Sequence, residues 1–445
     1  MKKIILFLFA LMAHVAVFSQ GTNNYANTEQ NGDDNAATVT QTGNDNFSDL
    51  KQSLGNNKAT VNQIGNDNKL KNSKFLGGAY AQQRSSGILE LDQLGDNNLL
   101  GLYQYNRKNE AYVIQQGDDN KADVGQRAVP GGVNIITGNI TNINQNGNDN
   151  DADAYQRGDL SLIDIKQNGN DNEADVSQDG GLTTPDGGRN NEAYLRQEGN
   201  DNDASLTQYG SDNKIDAGDD GYFNNAQLGS NHILTVNQIG DENWTYYSSG
   251  NGSSYNVALV DQLGFGDRAT VIQSGSNSQA TVNQTGIYGV TKYNGDNNTA
   301  DITQYGTLQE STINQEGQNH TAKTYQQQNN QKATITQVGD VFDGQNARYS
   351  TGWPNAPFNN HAWTWQGLGD GNILTVSQDG EENNAWITQE GNINTAGIMQ
   401  TGKDNWGSIL QTGDNNMGTI TSTGTGHTGT ITQTGNMNEA VITQN

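Results

Sequence analysis

The sequence predicts an all-β fold, a two-sheet β-solenoid of strand–turn–strand–turn layers. One observation is that glutamine recurs every eleven residues, as at Gln378, Gln389, Gln400 and Gln411. Another is that Asn, Ala, Val or Ile, and Gln stand two residues apart within each repeat, so they share one face of a strand. Gly-x-x-Asn follows each Gln and provides the residues of a tight turn. No helical periodicity follows residue 20.

The composition also restricts the class of protein. Only 31% of the 445 residues are hydrophobic, a level that by itself indicates disorder. Stacked in register, however, buried amide side chains can hydrogen-bond to identical amides one layer away, which makes such a polar interior possible. With 49 acidic and 23 basic residues the net charge is −26, which disfavours a nucleic-acid-binding protein. The absence of cysteine excludes disulfides, thiolate zinc sites and cysteine nucleophiles.

The first nineteen residues have the features of a secretory signal peptide. Lys2 and Lys3 give a basic start, residues 4–18 are apolar apart from His14, and Ser19 provides a small residue for cleavage. The run is too short for a membrane span. The sequence therefore predicts a signal peptide over 1–19 and an exported repeat domain over 20–445.

The repeat domain contains 33 register positions between Gln30 and Gln444, of which 30 are Gln and three are Lys74, Ser249 and Ser422. Two strands and two turns, 22 residues, form one layer, so the chain has about sixteen layers. The inward amides are predicted to form structural ladders. The predicted glutamine positions include Gln145, Gln156, Gln167, Gln178, Gln197, Gln208, Gln378, Gln389, Gln400, Gln411, Gln433 and Gln444. The predicted asparagine positions include Asn150, Asn172, Asn202, Asn383, Asn394, Asn405, Asn416 and Asn438.

Insertions are expected on one edge of the solenoid. Long steps follow Gln126, Gln178, Gln284 and Gln337, all at even strand indices, and equal parity means the same edge. Two further long steps, near 74–93 and 208–227, can be placed with the same parity. The insertions contain all four prolines: Pro130, Pro185, Pro354 and Pro357. The longest, 338–360, contains Trp353 and leads into Trp363 and Trp365. It is either an aromatic contact for sugar or a neighbouring fibril, or a surface loop, and we favour the loop.

No constellation of residues predicts catalysis, a cofactor or a metal centre. The histidines of the repeat domain are His232, His320, His361 and His427, and three occupy or adjoin the repeat's Asn position. We interpret them as replacements within a turn. The calcium β-roll motif is not present in tandem, so the acidic turns predict only weak divalent-cation binding. Outward threonine runs are typical of exposed strands, and a flat ice-binding array is disfavoured.

The pattern Q-x-G-x-x-N-x-A-x-x-x-Q, in tandem behind a signal peptide, resembles the curlin repeat of the major curli subunit over roughly residues 24–445. That family is secreted by Gram-negative bacteria and forms functional amyloid in biofilms. The resemblance implies a structural, non-enzymatic subunit of extracellular fibres on the cell surface. Its implied partners are further copies of itself, a nucleator subunit and an outer-membrane secretion channel. This chain has about three times the family's familiar five 22-residue repeats, and little of the family's non-repeat leader precedes the first repeat.

The ends of the repeat domain are expected to determine whether it assembles. Residues 24–30 and 438–445 are complete strand repeats without a cap, so both terminal layers would offer unpaired backbone groups. Head-to-tail stacking would satisfy them and would give fibres. The alternative is a monomeric β-solenoid that acts as a surface adhesin or an ion- or ice-binding rod. Self-assembly distinguishes the two.

Overall fold

The computed structural model describes nine stretches of the chain: residues 14–74, 81–105, 108–127, 138–180, 190–217, 227–250, 253–285, 297–339 and 360–445. Over these residues the secondary structure is entirely β, as predicted. They contain no helix long and apolar enough to cross a membrane. The chain divides into two compact units, Met1–Asn190 and Asn191–Asn445.

Unit 1 is built from short strands, most of them seven residues long. These are β1 (His14–Gln20), β2 (Tyr25–Asn31), β3 (Ala36–Thr42), β4 (Phe47–Ser53), β5 (Lys58–Ile64), β6 (Lys69–Asn72), β7 (Ala81–Arg84), β8 (Ile88–Leu94), β9 (Leu99–Tyr105), β10 (Glu110–Gln116), β11 (Lys121–Arg127), β12 (Ile140–Asn146), β13 (Asp151–Arg157), β14 (Leu162–Asn168) and β15 (Glu173–Asp179).

Unit 2 repeats the same element. Its strands are β16 (Glu192–Glu198), β17 (Asp203–Tyr209), β18 (Lys214–Ala217), β19 (Gln227–Ser230), β20 (Ile233–Asp241), β21 (Trp244–Ser249), β22 (Ser253–Ser254), β23 (Val257–Phe265), β24 (Arg268–Gln273), β25 (Gln279–Thr285), β26 (Thr299–Tyr305), β27 (Glu310–Glu316), β28 (Thr321–Gln327), β29 (Lys332–Val338), β30 (His361–Gln366), β31 (Ile373–Glu381), β32 (Asn384–Glu390), β33 (Thr395–Lys403), β34 (Trp406–Thr412), β35 (Met417–Thr425), β36 (Thr428–Thr434) and β37 (Glu439–Gln444).

Successive strands alternate between two parallel sheets, so each strand pairs with the strand one layer away. In unit 1 the first sheet contains β1, β3, β5, β8, β10, β12 and β14, and the second contains the others. In unit 2 the first sheet starts with β16 and ends with β36, and the second starts with β17 and ends with β37. The register is strict: Gln145 lies opposite Gln167, and Gln156 opposite Gln178. Each unit is therefore a two-sheet β-solenoid with a 22-residue layer.

The core of each unit is a thin layer between its two sheets. Along a strand the residues alternate between buried and partly or fully exposed, because successive side chains of a strand point to opposite faces. The inward positions hold a small residue such as Ala174, a branched residue such as Val176, and a Gln. The apolar contribution per layer is small, so the polar side chains between the sheets must also be satisfied.

The register prediction at Lys74 is wrong. The strand at that level is divided into β6 and β7, and both halves pair with β4 and β9. Gln83 lies opposite Gln52 and Gln104, so it occupies the position assigned to Lys74. Counting in steps of eleven residues failed here because β6 and β7 are two parts of one strand position, and the count assumed one continuous strand for each position.

A second strand is divided in the same way. In unit 2, β18 and β19 both pair with β16, and Gln227 lies opposite Gln197. The long steps near 74–93 and 208–227 therefore belong to interrupted strands and not to the edge where they were expected. The two serine register positions agree with the structure, since Ser249 lies opposite Gln273 and Ser422 opposite Gln400.

The four other long insertions follow β11, β15, β25 and β29, each a second-sheet strand of its unit. Within each unit, the two insertions therefore leave the same edge, as predicted. The inserted residues themselves, with all four prolines and Trp353, lie outside the described residues.

The strand β1 overlaps the predicted signal peptide. It pairs in parallel with β3, and Ser19 lies opposite Gln41. Cleavage after Ser19 would remove most of this strand. The signal peptide remains a prediction from the sequence.

The turns depend on glycine for two reasons. At Gly391 the backbone has φ +101°, in a region that L-residues with a Cβ disfavour. A Cβ placed there would lie 2.2 Å from the carbonyl oxygen of Gly413 in the next layer. Stacked turns thus approach each other too closely for a side chain.

We expect Gly391→Ala to destabilise unit 2 by more than ~1 kcal/mol, because it adds backbone strain to a backbone clash. Gly397→Ala is the matched control, since a Cβ at Gly397 would have its nearest neighbour at 3.9 Å. Urea unfolding of the two variants measures the difference. Equal midpoints would contradict this account of the turn.

Candidate functional site

The glutamine side chains form hydrogen-bonded rows along each sheet. Gln145 Nε2 donates to Gln167 Oε1 at 2.9 Å, and Gln156 Nε2 donates to Gln178 Oε1 at 3.0 Å. All four side chains are almost completely buried. Every such bond described here runs from one layer to the layer that follows it in the chain. The rows are therefore directional.

The same amides also join the two sheets. Gln167 Nε2 donates a second hydrogen bond to the carbonyl oxygen of Asp151, at 3.0 Å, and a third to that of Asn172, at 3.0 Å. Asp151 starts the preceding strand, which belongs to the other sheet. One side chain thus satisfies its own donors and links both sheets within a layer.

Asparagine forms a second set of rows at the turns. The backbone N–H of Asn172 donates to Asn150 Oδ1 at 3.2 Å, and Asn172 Nδ2 donates to the same oxygen at 2.9 Å. Asn150 Nδ2 also donates to the carbonyl oxygen of Gly169 at 2.8 Å. The asparagine-to-asparagine bonds run from each layer to the preceding one, opposite to the glutamine rows.

The structure places the predicted ladder residues of each unit in these rows. In unit 1 they are Gln145, Gln156, Gln167, Gln178, Asn150 and Asn172. In unit 2 the glutamines Gln197, Gln208, Gln378, Gln389, Gln411 and Gln433, and the asparagines Asn383, Asn394, Asn405, Asn416 and Asn438, take part in layer-to-layer bonds. Asn202 Oδ1 accepts from the backbone of His232 instead.

Serine interrupts one row. Gln400 accepts a hydrogen bond from Gln378, but Ser422 occupies the position that follows it. Ser422 Oγ donates to Gln444 Oε1 at 3.0 Å, so the short hydroxyl retains one of the two contacts that an amide would make.

A further row of side chains lies at the second position of the turns, which is partly or fully exposed, and the sequence analysis missed it. The backbone N–H of Asn66 donates to Asp96 Oδ1 at 2.7 Å, and that of Asp96 donates to Asp118 Oδ1 at 2.8 Å. Only Asn, Asp and a few hydroxyl residues can accept in this way. The recurrence of Asn and Asp after the turn glycine was the available signal.

Histidine replaces asparagine in three turns, in agreement with the interpretation from sequence. The backbone N–H of His320 donates to Asn298 Oδ1 at 3.0 Å, and His320 Nε2 lies 3.0 Å from the carbonyl oxygen of Glu316. Burial, with a smaller contribution from His361, lowers the pKa of His320 to about 4. Among the residues that the structure describes, no group of three or more His, Asp or Glu side chains could hold a metal ion.

Two of the tryptophans expected near the longest insertion lie on the outer face of the first sheet of unit 2. Trp363 is 50% exposed and its ring centroid lies 4.5 Å from that of Trp386. Trp365 lies two residues further along the same strand.

The glutamine rows stop at unsatisfied atoms at the start of unit 1. Gln30 Oε1 and Gln41 Oε1 are buried, and neither has a hydrogen-bond partner among the described residues. Their Nε2 groups donate onward to Gln52 and Gln63. The strand β1 does not supply the missing donor to Gln41, because it presents Ser19 there.

The end of unit 2 presents the opposite chemistry. Gln444 Nε2 donates to the carbonyl oxygen of Thr428 at 2.9 Å, and the described chain contains no following amide. Ile442 is only partly buried, whereas its register partner Ile420 is completely buried. The last strand therefore leaves apolar surface and the Gln444 amide partly exposed.

These features define a class: a structural β-solenoid whose polar interior is held by amide rows. A family model for the curlin associated repeat matches residues 21–53, 95–127, 139–180, 187–210, 256–286, 295–327, 369–402 and 391–424, more than half of the chain. The chain belongs to the curlin-repeat family. A comparison with curated proteins gives no match.

We expect Gln389→Leu to destabilise unit 2 by about 2–4 kcal/mol. Gln389 accepts from Gln366 and donates to Gln411, so an isosteric apolar side chain leaves two buried amides each with an unpaired atom. Thr388→Leu, on the exposed face of the same strand, is the control and should change stability by less than ~1 kcal/mol. Chemical denaturation compares the two. A similar loss in both variants would contradict a special role for the amide.

We expect unit 2 to lose stability as the pH falls from 6.5 to about 4, and we expect His320→Asn to remove this pH dependence. The folded state lowers the His320 pKa, so the unfolded state binds the proton first and stability falls as pH decreases through this window. The full effect is up to about 3 kcal/mol. Hydrogen exchange of residues 297–338 at pH 7 and pH 4.5 measures it. An unchanged difference between the two pH values in the Asn variant would refute the assignment.

Proposed function

We propose that this protein is a non-enzymatic subunit of extracellular curli-like amyloid fibres, which grow head to tail by β-strand stacking. The observation that carries the proposal is the chemistry of the terminal glutamines. Gln30 and Gln41 leave buried acceptors unpaired, whereas Gln444 Nε2 donates one hydrogen bond, to the Thr428 carbonyl oxygen, and an amide nitrogen has two N–H groups to donate. A second copy would supply what each end lacks.

The asparagine rows support the same direction of addition. Asn438 donates to Asn416 at 2.9 Å, and its own oxygen is the group that accepts from the following layer elsewhere in the row. Asn24, at the other end, already accepts from Asn46. Stacking the first strands of one copy on the last strands of another would therefore extend both kinds of row.

Apolar burial would add to the hydrogen bonds. Ile442 and Ala440 point inward from β37 but are only partly covered. A strand stacked on β37 would bury them as Ile420 is buried in β35. Removing such apolar surface from water stabilises the contact by roughly 25 cal/mol per Å².

Family membership supports the cellular context. Curlin-repeat proteins are structural proteins of the bacterial surface, so we propose secretion from a Gram-negative cell, a role in the biofilm matrix and adhesion. A nucleator subunit and an outer-membrane channel are the partners that this role implies. Weak divalent-cation binding at the acidic turns is a further expectation.

The test is a charge placed at the stacking face. Ile442→Lys leaves the ammonium in water in a free subunit, because the site is only partly buried, but a stacked strand would bury it at high cost. We expect unbranched fibres with a repeat of roughly 4.8 Å from residues 20–445, and elongation at least tenfold slower in the variant. Thr443→Lys, on the outer face of the same strand, is the matched control and should elongate normally.

Thioflavin fluorescence, electron microscopy and fibre diffraction provide the measurements. Fibres that grow equally fast from both variants would contradict stacking at β37. A stable monomer at every pH and calcium concentration would overturn the fibre proposal and would favour the monomeric adhesin or binding rod.

A further inference from the structure

Three arginines lie in one row on the outer face of the second sheet of unit 1. Arg127 ends β11 and lies opposite Tyr105 on one side and Arg157 on the other. Arg84 stacks on Tyr105, with its Cζ 4.4 Å from the ring centroid. We call Arg84, Tyr105, Arg127 and Arg157 the arginine row. Three of these four consecutive layers each carry one arginine, which is unusual in a chain of net charge −26.

The row is incompletely neutralised within its own unit. Arg157 Nη1 pairs with Asp179 Oδ2 at 3.2 Å. The Nε atoms of Arg127 and Arg157 are buried, and neither has a hydrogen-bond partner among the described residues. Guanidinium groups one layer apart repel each other, so an external row of carboxylates would lower the energy of this face.

The space beside the row is open at its first layers. Asn31 and Ser53 continue the row beyond Arg84, since Asn31 lies opposite Ser53 and Ser53 opposite Arg84. Their short side chains leave a groove of about 430 Å³, which Lys51 and Arg84 line. A partner with a convex, negatively charged edge fits such a groove better than a partner with a flat face.

The same unit carries an edge of this kind. Aspartate occupies the left-handed third position of the turns that lead from the first sheet to the second, with φ between 55° and 58°. We call these residues the acidic edge: Asp45, Asp67, Asp119, Asp149 and Asp171. Asp119, Asp149 and Asp171 are exposed.

The arginine row and the acidic edge have the same period. Each has one position per layer, roughly 4.8 Å apart, so a contact made in one layer can be repeated in the next. They also lie at opposite ends of the second-sheet strands, because the acidic turns precede these strands and the arginines stand at or near their ends. One copy can therefore offer its edge to the row of a neighbour, which in turn offers its own edge onward.

We propose that the arginine row of one copy binds the acidic edge of a second copy lying alongside it, and that this contact gathers fibres into bundles. The bundles rest on the fibre function proposed above, but the contact itself is between the sides of single solenoids. It depends on charges paired between the surfaces of two copies, so it weakens as salt rises.

The test of the row is Arg127→Gln/Arg157→Gln in the protein that forms fibres. We expect fibres of normal yield and growth rate whose mean number of filaments per bundle falls toward one. The control is Arg268→Gln/Lys332→Gln, which removes two positive charges from unit 2 and should bundle like the parent.

Asp119→Asn/Asp149→Asn/Asp171→Asn tests the acidic edge, and Asn suits this turn position because Asn97 already occupies it with φ 60°. This triple variant should also lose bundles.

A second measurement separates this contact from fibre growth. In the Ile442→Lys background, which blocks elongation, sedimentation at low salt should detect lateral self-association. Arg127→Gln/Arg157→Gln should weaken its Kd by about tenfold or more, about 1.4 kcal/mol. Self-association that the row and edge variants leave unchanged would overturn the proposal even if fibres form. If Arg268→Gln/Lys332→Gln weakens self-association equally, the effect comes from net charge alone, and this result would also overturn the proposal.

A polysaccharide is the competing occupant. If the parent binds a soluble polyuronate, the arginine variant does not, and bundling is the same in both, the row serves an acidic sugar polymer and the proposal is wrong. If polyuronate instead disperses the bundles of the parent, it competes for the same cations and supports the contact between copies.

Discussion

The structure depends on one requirement: a buried amide must find an identical amide one layer away. Gln156 and Gln178 meet this requirement at 3.0 Å, and neither could be buried at acceptable free energy without such a partner. The requirement fixes the eleven-residue spacing, because a slip of one residue would turn every inward Gln toward solvent. It also explains how a chain with only 31% hydrophobic residues folds.

The two kinds of row give the solenoid a direction. Glutamine donors point toward the following layer, whereas asparagine donors point toward the preceding one. The first and last faces of the described chain are therefore chemically different and complementary. Two identical faces could not pair in the same way, since acceptor would meet acceptor. The direction of the rows is thus the physical basis on which head-to-tail addition is proposed.

The turns and outer faces of each solenoid unit are not bound by this requirement, and the sequence differs most there from layer to layer. In each unit two insertions follow strands of the second sheet, and the turns that lead from the first sheet to the second keep their stacked Asn and Asp residues, such as Asn66 and Asp96 of unit 1. The outer faces differ along the chain, with the arginine row in unit 1 and the Trp363–Trp386 pair in unit 2. Conserving the interior while changing the faces would let one scaffold make different lateral contacts.

The sequence alone determined the fold, because inward side chains that alternate every two residues within an eleven-residue repeat are compatible with few structures. It placed Gln389 and Asn394 inward and recognised His320 as a replacement for Asn. It could not place Lys74, since counting assumes that every insertion falls in a turn, and here one divides a strand. Only the tertiary structure completed the arginine row: the sequence register assigned Lys74 to the position that Gln83 occupies, so it did not align Arg84 with Arg127 and Arg157. The direction of each amide row was likewise decided by packing, because a side-chain amide can donate either way until its neighbours fix it.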